Sequence, residues 1–162
     1  MKPIILVYPH DRIFAAVKQE SSLLAERKTD SKGNTLFEAL VFDEEYLVKF
    51  RELFFDAQAE ILKSVSAYLA DSSSAYQDLS DFWENRDFFL ALNLCDGFKL
   101  SRTVDFSINQ FLIAYIMYRW LETKLPDEAS VYLERSSGKK KDIKNMLDGA
   151  DSQKARIVLR LF

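Results

Sequence analysis

The sequence predicts a mainly α protein. Its expected form is a helical bundle around a buried central helix at about residues 105–123, with a long amphipathic helix at about 43–70. A small β element is expected from short strands near 3–8, 88–95 and 156–161. Three observations carry this reading. Residues 106–118 hold no charge, and their large apolar side chains fall on every side of a helical wheel, as in a helix buried all round. Residues 47–69 repeat apolar side chains at helical spacing. Only 4 Gly and 3 Pro occur in 162 residues, which leaves little room for turn-rich β structure.

The length fits a single domain over 1–162, large enough to bury about 70% of its unfolded surface without disulfides or metal. The chain opens with KPIILVYP, a β-branched and aromatic run bounded by Pro3 and Pro9, which reads as a short strand compatible with a sheet edge. Asp11 stands where a helix N-cap belongs, and Ile13, Phe14, Val17, Ser21 and Leu24 follow at helical spacing toward Arg27 and Lys28. Residues 29–34, TDSKGN, form the clearest polar turn, with Gly33 and Asn34 tolerating positive φ. Residues 36–42 are apolar and fit either a strand-like lead-in or a turn of helix.

Asp43, Glu44 and Glu45 open the long helix with the negative charge its dipole favours. Leu47, Phe50, Phe54, Ala57, Ile61, Val65 and Tyr68 form its apolar stripe, widened by Leu53, Leu62 and Leu69. Residues 71–74, DSSS, end it and cap a shorter helix through Trp83. In DFFLALNLC the period changes to two. Phe88, Leu90, Leu92 and Leu94 share one face, with Phe89, Ala91, Asn93 and Cys95 on the other. Asp96 and Gly97 turn the chain into the central helix, whose N-cap is Asp105 or, one step out, Thr103. Pro126 stops that helix and fits the first position of the next, with Asp127 and Glu128 in its first turn. Gly138 weakens this last helix by about 1 kcal/mol, enough for a kink, and Gly149 suits its C-terminal cap. The end, RIVLRLF, alternates Ile157, Leu159 and Leu161 with Val158 and Arg160, as a terminal strand or extended tail does.

The residues present exclude most function classes. His10 is the one histidine, so no His-pair metal site exists; its Pro-His-Asp setting reads as solvated or bonded to Asp11. One cysteine, Cys95, rules out an intramolecular disulfide and a CxxC zinc site, and reads as a small buried hydrophobe. No Gly-rich phosphate loop occurs. Paired carboxylates such as Asp78 and Asp81 lie at helix starts or on polar faces. The expectation is no catalytic, cofactor-binding or metal-binding residue, no small-molecule substrate and no cofactor. The net charge of −3 gives no reason to expect nucleic acid, and no apolar run reaches the roughly 20 residues that span a bilayer. The N-terminal apolar run is too short for a signal peptide, so a reducing compartment, or a particle assembled in one, is expected.

Two features remain as candidate interaction residues. One is the basic run Lys139, Lys140 and Lys141, with Lys144, Lys154, Arg156 and Arg160 near it. Its plain reading is a solvated helix face matched by Glu134, Asp142, Asp148 and Asp151. The other is the tail, with Ile157, Leu159, Arg160, Leu161 and Phe162. Apolar, strand-like ends either pair within the domain's own sheet or add to a neighbour as a strand.

The order of these pieces carries a resemblance. A long helix opening D-E-E-Y, the strand FFLALNL, an apolar helix ending Y-R-W-L-E-T, then P-D-E-A-x-x-Y and D-I-K-x-M-L with a basic-apolar end together resemble a family of small, mainly helical proteins. That family is encoded in the structural gene blocks of prophages in gut bacteria. The resemblance spans about residues 43–162, anchored on Trp120, Leu121, Pro126, Glu128, Ala129 and Tyr132. It implies a virion structural protein of the head–tail connector or tail-completion kind, acting by self-association or with other virion proteins. It places the chain in the host cytoplasm or within the phage particle. The family pattern ends in a short Arg/Pro/aromatic tail, and RIVLRLF lacks the proline, so the resemblance assigns that tail no role. Against this assembly reading stands a cytoplasmic adaptor or regulatory module that binds another protein through aromatic surface.

Overall fold

The computed structural model describes residues 3–70, 87–94 and 97–160, with 150–160 described as backbone. The fold is mainly α with a small two-stranded antiparallel sheet, in the order β1 (Ile4–Tyr8), α1 (His10–Glu26), α2 (Phe37–Leu40), α3 (Leu47–Ser64), β2 (Phe88–Leu92), α4 (Ser101–Leu121) and α5 (Pro126–Arg160). Short 3-10 turns at Glu44–Tyr46 and Ser66–Tyr68 bracket α3. Asp43 caps the first of these, accepting from the Glu45 amide at 3.1 Å. The shorter helix expected through Trp83, and Cys95, lie outside the described residues.

The central helix is α4. Val104, Ile108, Phe111, Leu112, Ala114, Ile116, Met117 and Leu121 are all buried, and α5, α3, α1 and β1 pack around it. The expectation of burial all round fails at Phe106, which is 59% exposed. α4 also starts earlier than expected, at Ser101 with Leu100 in the cap position, so Thr103 and Asp105 lie inside the helix rather than capping it. The stripe of α3 buries Phe50, Leu53, Phe54, Ala57 and Ile61 as expected. Phe42 joins Phe50 to Trp120, its ring centroid 6.0 Å from the first and 4.2 Å from the second.

Three expected element ends are corrected. The long helix stops at Ser64 rather than near residue 70. The Ala70 amide donates to the Ala91 carbonyl (2.9 Å) and the Asn93 amide to Tyr68 (2.7 Å), so this segment covers one edge of β2 instead of continuing the helix. Second, α5 runs unbroken past Gly138 and Gly149, so Gly149 is no cap. Third, the strand expected near 156–161 is helical through Arg160. Extending a formed helix adds one hydrogen bond per residue fixed, and Gln153, Lys154, Ala155 and Arg156 are good helix formers.

Asp11 is not the N-cap of α1: the helix starts at His10 with Pro9 in the cap position, so Asp11 lies in its first turn, where the helix dipole favours its charge. The remaining turn signals hold. Pro126 is the first residue of α5, with Asp127 and Glu128 in its first turn. Gly33 takes φ +81° in the polar turn, where Asp30 accepts from the amides of Lys32 (2.8 Å) and Asn34 (2.9 Å). The ambiguous residues 36–42 form the single turn of α2, and the buried Ser21 hydroxyl accepts from the Phe42 amide at 2.9 Å. Among the described residues, no helix is long and apolar enough to cross a membrane.

Candidate protein-interaction surface

The two strands pair in the register Ile4 with Leu92, Ile5 with Ala91, Leu6 with Leu90, Val7 with Phe89 and Tyr8 with Phe88. Side chains alternate, so Leu6, Tyr8, Phe88, Leu90 and Leu92 face the core. Ile5, Val7 and Phe89 face outward at 63%, 43% and 47% exposure. Phe106 extends this surface, because it lines the same cleft as Val7. Four large apolar side chains thus lie together on the outside of the molecule, whereas isolated exposed hydrophobics are ordinary.

The free edge beside this face follows from the register. Backbone groups of successive strand residues point to opposite sides of the strand. Ala91 and Asn93 spend theirs on residues 68–70, so Phe88, Leu90 and Leu92 are the residues that meet β1. β1 answers with Ile4, Leu6 and Tyr8. Ile5 and Val7 therefore turn their N–H and C=O groups to the other edge, where no described residue pairs with them. Pro3 and Pro9 occupy the next two positions of that parity and lack an N–H, so they bound the open edge at both ends.

The sequence-predicted candidates are placed differently. Ile157, Leu159 and Arg160 lie on the last turns of α5, and Leu161 and Phe162 are outside the described residues. The basic run fans out rather than forming one stripe. Lys139 stands over the Phe106 ring, 5.9 Å from its centroid. Lys140 reaches Glu60 of α3 at 3.4 Å, and Lys63 meets the same carboxylate at 2.9 Å. Lys63 and then Lys140 hold the Glu60 carboxyl below its usual range. Lys140 and Lys141 line a cleft of about 490 Å³ with Lys63, Lys144, Tyr68 and Asp148. Part of the charge is thus matched by Glu60 of the neighbouring helix α3.

His10 is bonded to Asp11, with Nδ1 3.0 Å from the carboxylate, and is buried rather than solvated. A carboxylate only accepts, so Nδ1 carries the proton. The ring lies edge-on to Phe50 and Phe54, at 5.0 and 5.9 Å between centroids. Its amide donates to Asp87 at 2.9 Å. Among the described residues, no group of three or more His, Cys, Asp or Glu side chains could hold a metal ion.

Sequence reasoning assigned the parity of β2 correctly but missed Phe106. The available signal was the stripe Arg102, Asp105 and Asn109 around it, polar at helical spacing on an otherwise apolar helix. No protein-family model matches the chain, and neither does any curated protein or solved structure.

Proposed function

We propose that this protein is a non-enzymatic assembly protein that works by binding other proteins through the outward face of its small sheet. The observation that carries the reading is the adjoining exposure of Ile5, Val7, Phe89 and Phe106 beside an open strand edge. Leaving such groups in water stabilises nothing in the free chain, and contiguous apolar patches with polar rims mark interaction sites. The finer reading is a virion component of the head–tail connector or tail-completion kind. It rests on the resemblance anchored at Trp120, Pro126 and Tyr132, and on a chemistry-poor chain being sufficient for such a role. The partners are then other virion proteins or further copies of this chain.

The test is a double substitution, Phe89→Glu with Phe106→Glu, in the full chain. The wild type is expected to form oligomers by light scattering at high concentration, or to co-sediment with particles from an induced culture. The double variant should lose that association and keep its thermal midpoint. A wild-type chain that stays monomeric and is missing from particles overturns the proposal.

A further inference from the structure

Beside the apolar face lies a smaller cleft, of about 230 Å³, between the open edge of β1 and the first turns of α4. Val7, Tyr8 and Pro9 form one wall, and Arg102, Asp105 and Asn109 line the α4 side. Three observations give it a chemistry. The first is the Val7 backbone, whose N–H and C=O point out of the sheet at this edge. The second is Tyr8, which is only 2% exposed and lines the cleft, yet its phenol oxygen has no hydrogen-bond partner among the described residues. Burial first, and then the charge and hydrogen bonding of the neighbouring Asp105 carboxylate, push the phenol far up, although the Asp105 contact falls short of full hydrogen-bonding geometry. A buried hydroxyl without full hydrogen-bonding geometry is a cost to the fold, so an acceptor delivered into the cleft recovers free energy.

The third observation is charge. Arg12 and Arg102 both line the cleft, both are exposed, and neither forms an ion pair with any described residue. Asp105 offsets one of them, leaving the lining net positive. The donors lining the cleft, two guanidinium groups and the Tyr8 phenol, outnumber its one carboxylate, Asp105. The cleft is therefore short of acceptors, and it has a strand edge to align an incoming backbone.

We infer that this cleft receives an extended, acidic segment of a partner protein, which adds as a strand on Val7 and sets a carboxylate between Arg12 and Arg102. Main-chain bonds to an open edge supply register, and side-chain pockets supply selectivity. Guanidinium groups suit the task because they present paired donors to a carboxylate. A second copy of β1 fits less well, since IILVY carries no acid and leaves both arginines unmatched. The inference rests on the surface reading above and names the partner's chemistry.

The experiment uses the full chain and two fluorescein-labelled peptides, acetyl-(Glu-Val)3-amide and acetyl-(Lys-Val)3-amide, followed by anisotropy. The acidic peptide should bind at least about tenfold more tightly than the basic one, the ratio that one charge-assisted contact of 1.4 kcal/mol confers. Arg12→Glu with Arg102→Glu should remove that preference. Val7→Pro should weaken binding about tenfold, since it deletes an outward N–H and leaves the β1–β2 bonds alone. Tyr8→Phe should weaken binding several-fold without lowering the thermal midpoint, and it keeps the test open if the proline variant fails to fold. Equal binding of both peptides, no binding of either, or acidic-peptide binding indifferent to Tyr8→Phe and to the charge reversals overturns the inference. A dimer that the peptide does not displace also overturns it. Failure here with association still abolished by the Phe89 and Phe106 substitutions sinks this inference alone; failure of both sinks the surface reading beneath it.

Discussion

The Trp120 indole N–H of α4 donates to the Leu40 carbonyl at 2.8 Å, tying the central helix to the single turn of α2. The same ring packs on Phe42 at 4.2 Å and carries Lys124 above it at 3.3 Å, while the Lys124 ammonium donates to the Ala39 carbonyl at 2.8 Å. Trp120 at the end of α4 and Lys124 just past it thus satisfy two carbonyls of a turn too short to hold itself.

Trp120→Ala should therefore cost about 3–5 kcal/mol, through lost packing and an orphaned carbonyl. Trp120→Phe keeps most of the ring volume and should cost about 1–3 kcal/mol, mainly for the unpaired Leu40 oxygen. Thermal and urea unfolding of the two variants separate the contributions. A midpoint unchanged in Trp120→Ala contradicts the burial of this ring.

Ser21 supports the same region from α1. Its hydroxyl accepts from the Phe42 amide and donates to the Lys18 carbonyl at 2.9 Å, all within a buried helix face. Ser21→Ala removes the acceptor and leaves a buried N–H unpaired, at about 1–3 kcal/mol. Ser21→Cys, with a weaker acceptor in nearly the same volume, should fall between. Amide exchange at Phe42 is the local readout, and its protection should drop in both.

Asp30 gives the polar turn an acid dependence. Hydrogen bonds from the Asn34 amide and side chain, then from Lys32 and Gly33, lower its carboxyl below the ordinary value of 3.8. A folded-state value below the unfolded one means the turn's contribution is fully present above the unfolded value. It is lost as pH falls through the lowered value. Amide exchange at Lys32 and Asn34 should therefore accelerate in that acid window. In Asp30→Asn it should be fast at neutral pH and show no such step.

Removal of residues 157–162 should leave the helical body folded. Ala129, Tyr132, Ser136, Ile143 and Leu147 anchor α5 in the core, and the truncated chain keeps all of them. The thermal midpoint is expected to move by no more than a few degrees, about the effect of 1 kcal/mol in a domain this size. A cooperative collapse of helical circular dichroism in the truncated chain contradicts that expectation. Light scattering on the same protein reports whether this end also contributes to association.

Much of the local structure is legible in the residues themselves. The period of two in FFLALNL sets the inward and outward faces of β2, because a strand has only two faces. The charge-free run in α4 identifies the buried helix, since no solvated helix lacks polar residues on every side. Pro126 with Asp127 and Glu128 marks a helix start through backbone chemistry confined to one turn. Element ends are less legible. Residues 65–70 carry an apolar helical pattern, yet Tyr68 and Ala70 pair with β2, a choice settled by hydrogen bonds to a strand twenty residues away. The tail misleads for another reason, since a helix already formed extends into it at one hydrogen bond per residue and outweighs its alternation.

By itself the sequence determined the fold class, the core-facing stripe of α3, the two strands and the lack of recognised catalytic motifs. All of these follow from periodicity and composition over short windows. Only the tertiary structure decided where the unmatched groups meet. It set Phe106 beside Val7, turned the Val7 backbone outward, buried the Tyr8 phenol next to Asp105, and brought Arg12 from α1 into one cleft with Arg102 from α4. Those juxtapositions join residues some ninety positions apart, and no local pattern encodes them, because each depends on which edge of β2 residues 68–70 had already taken.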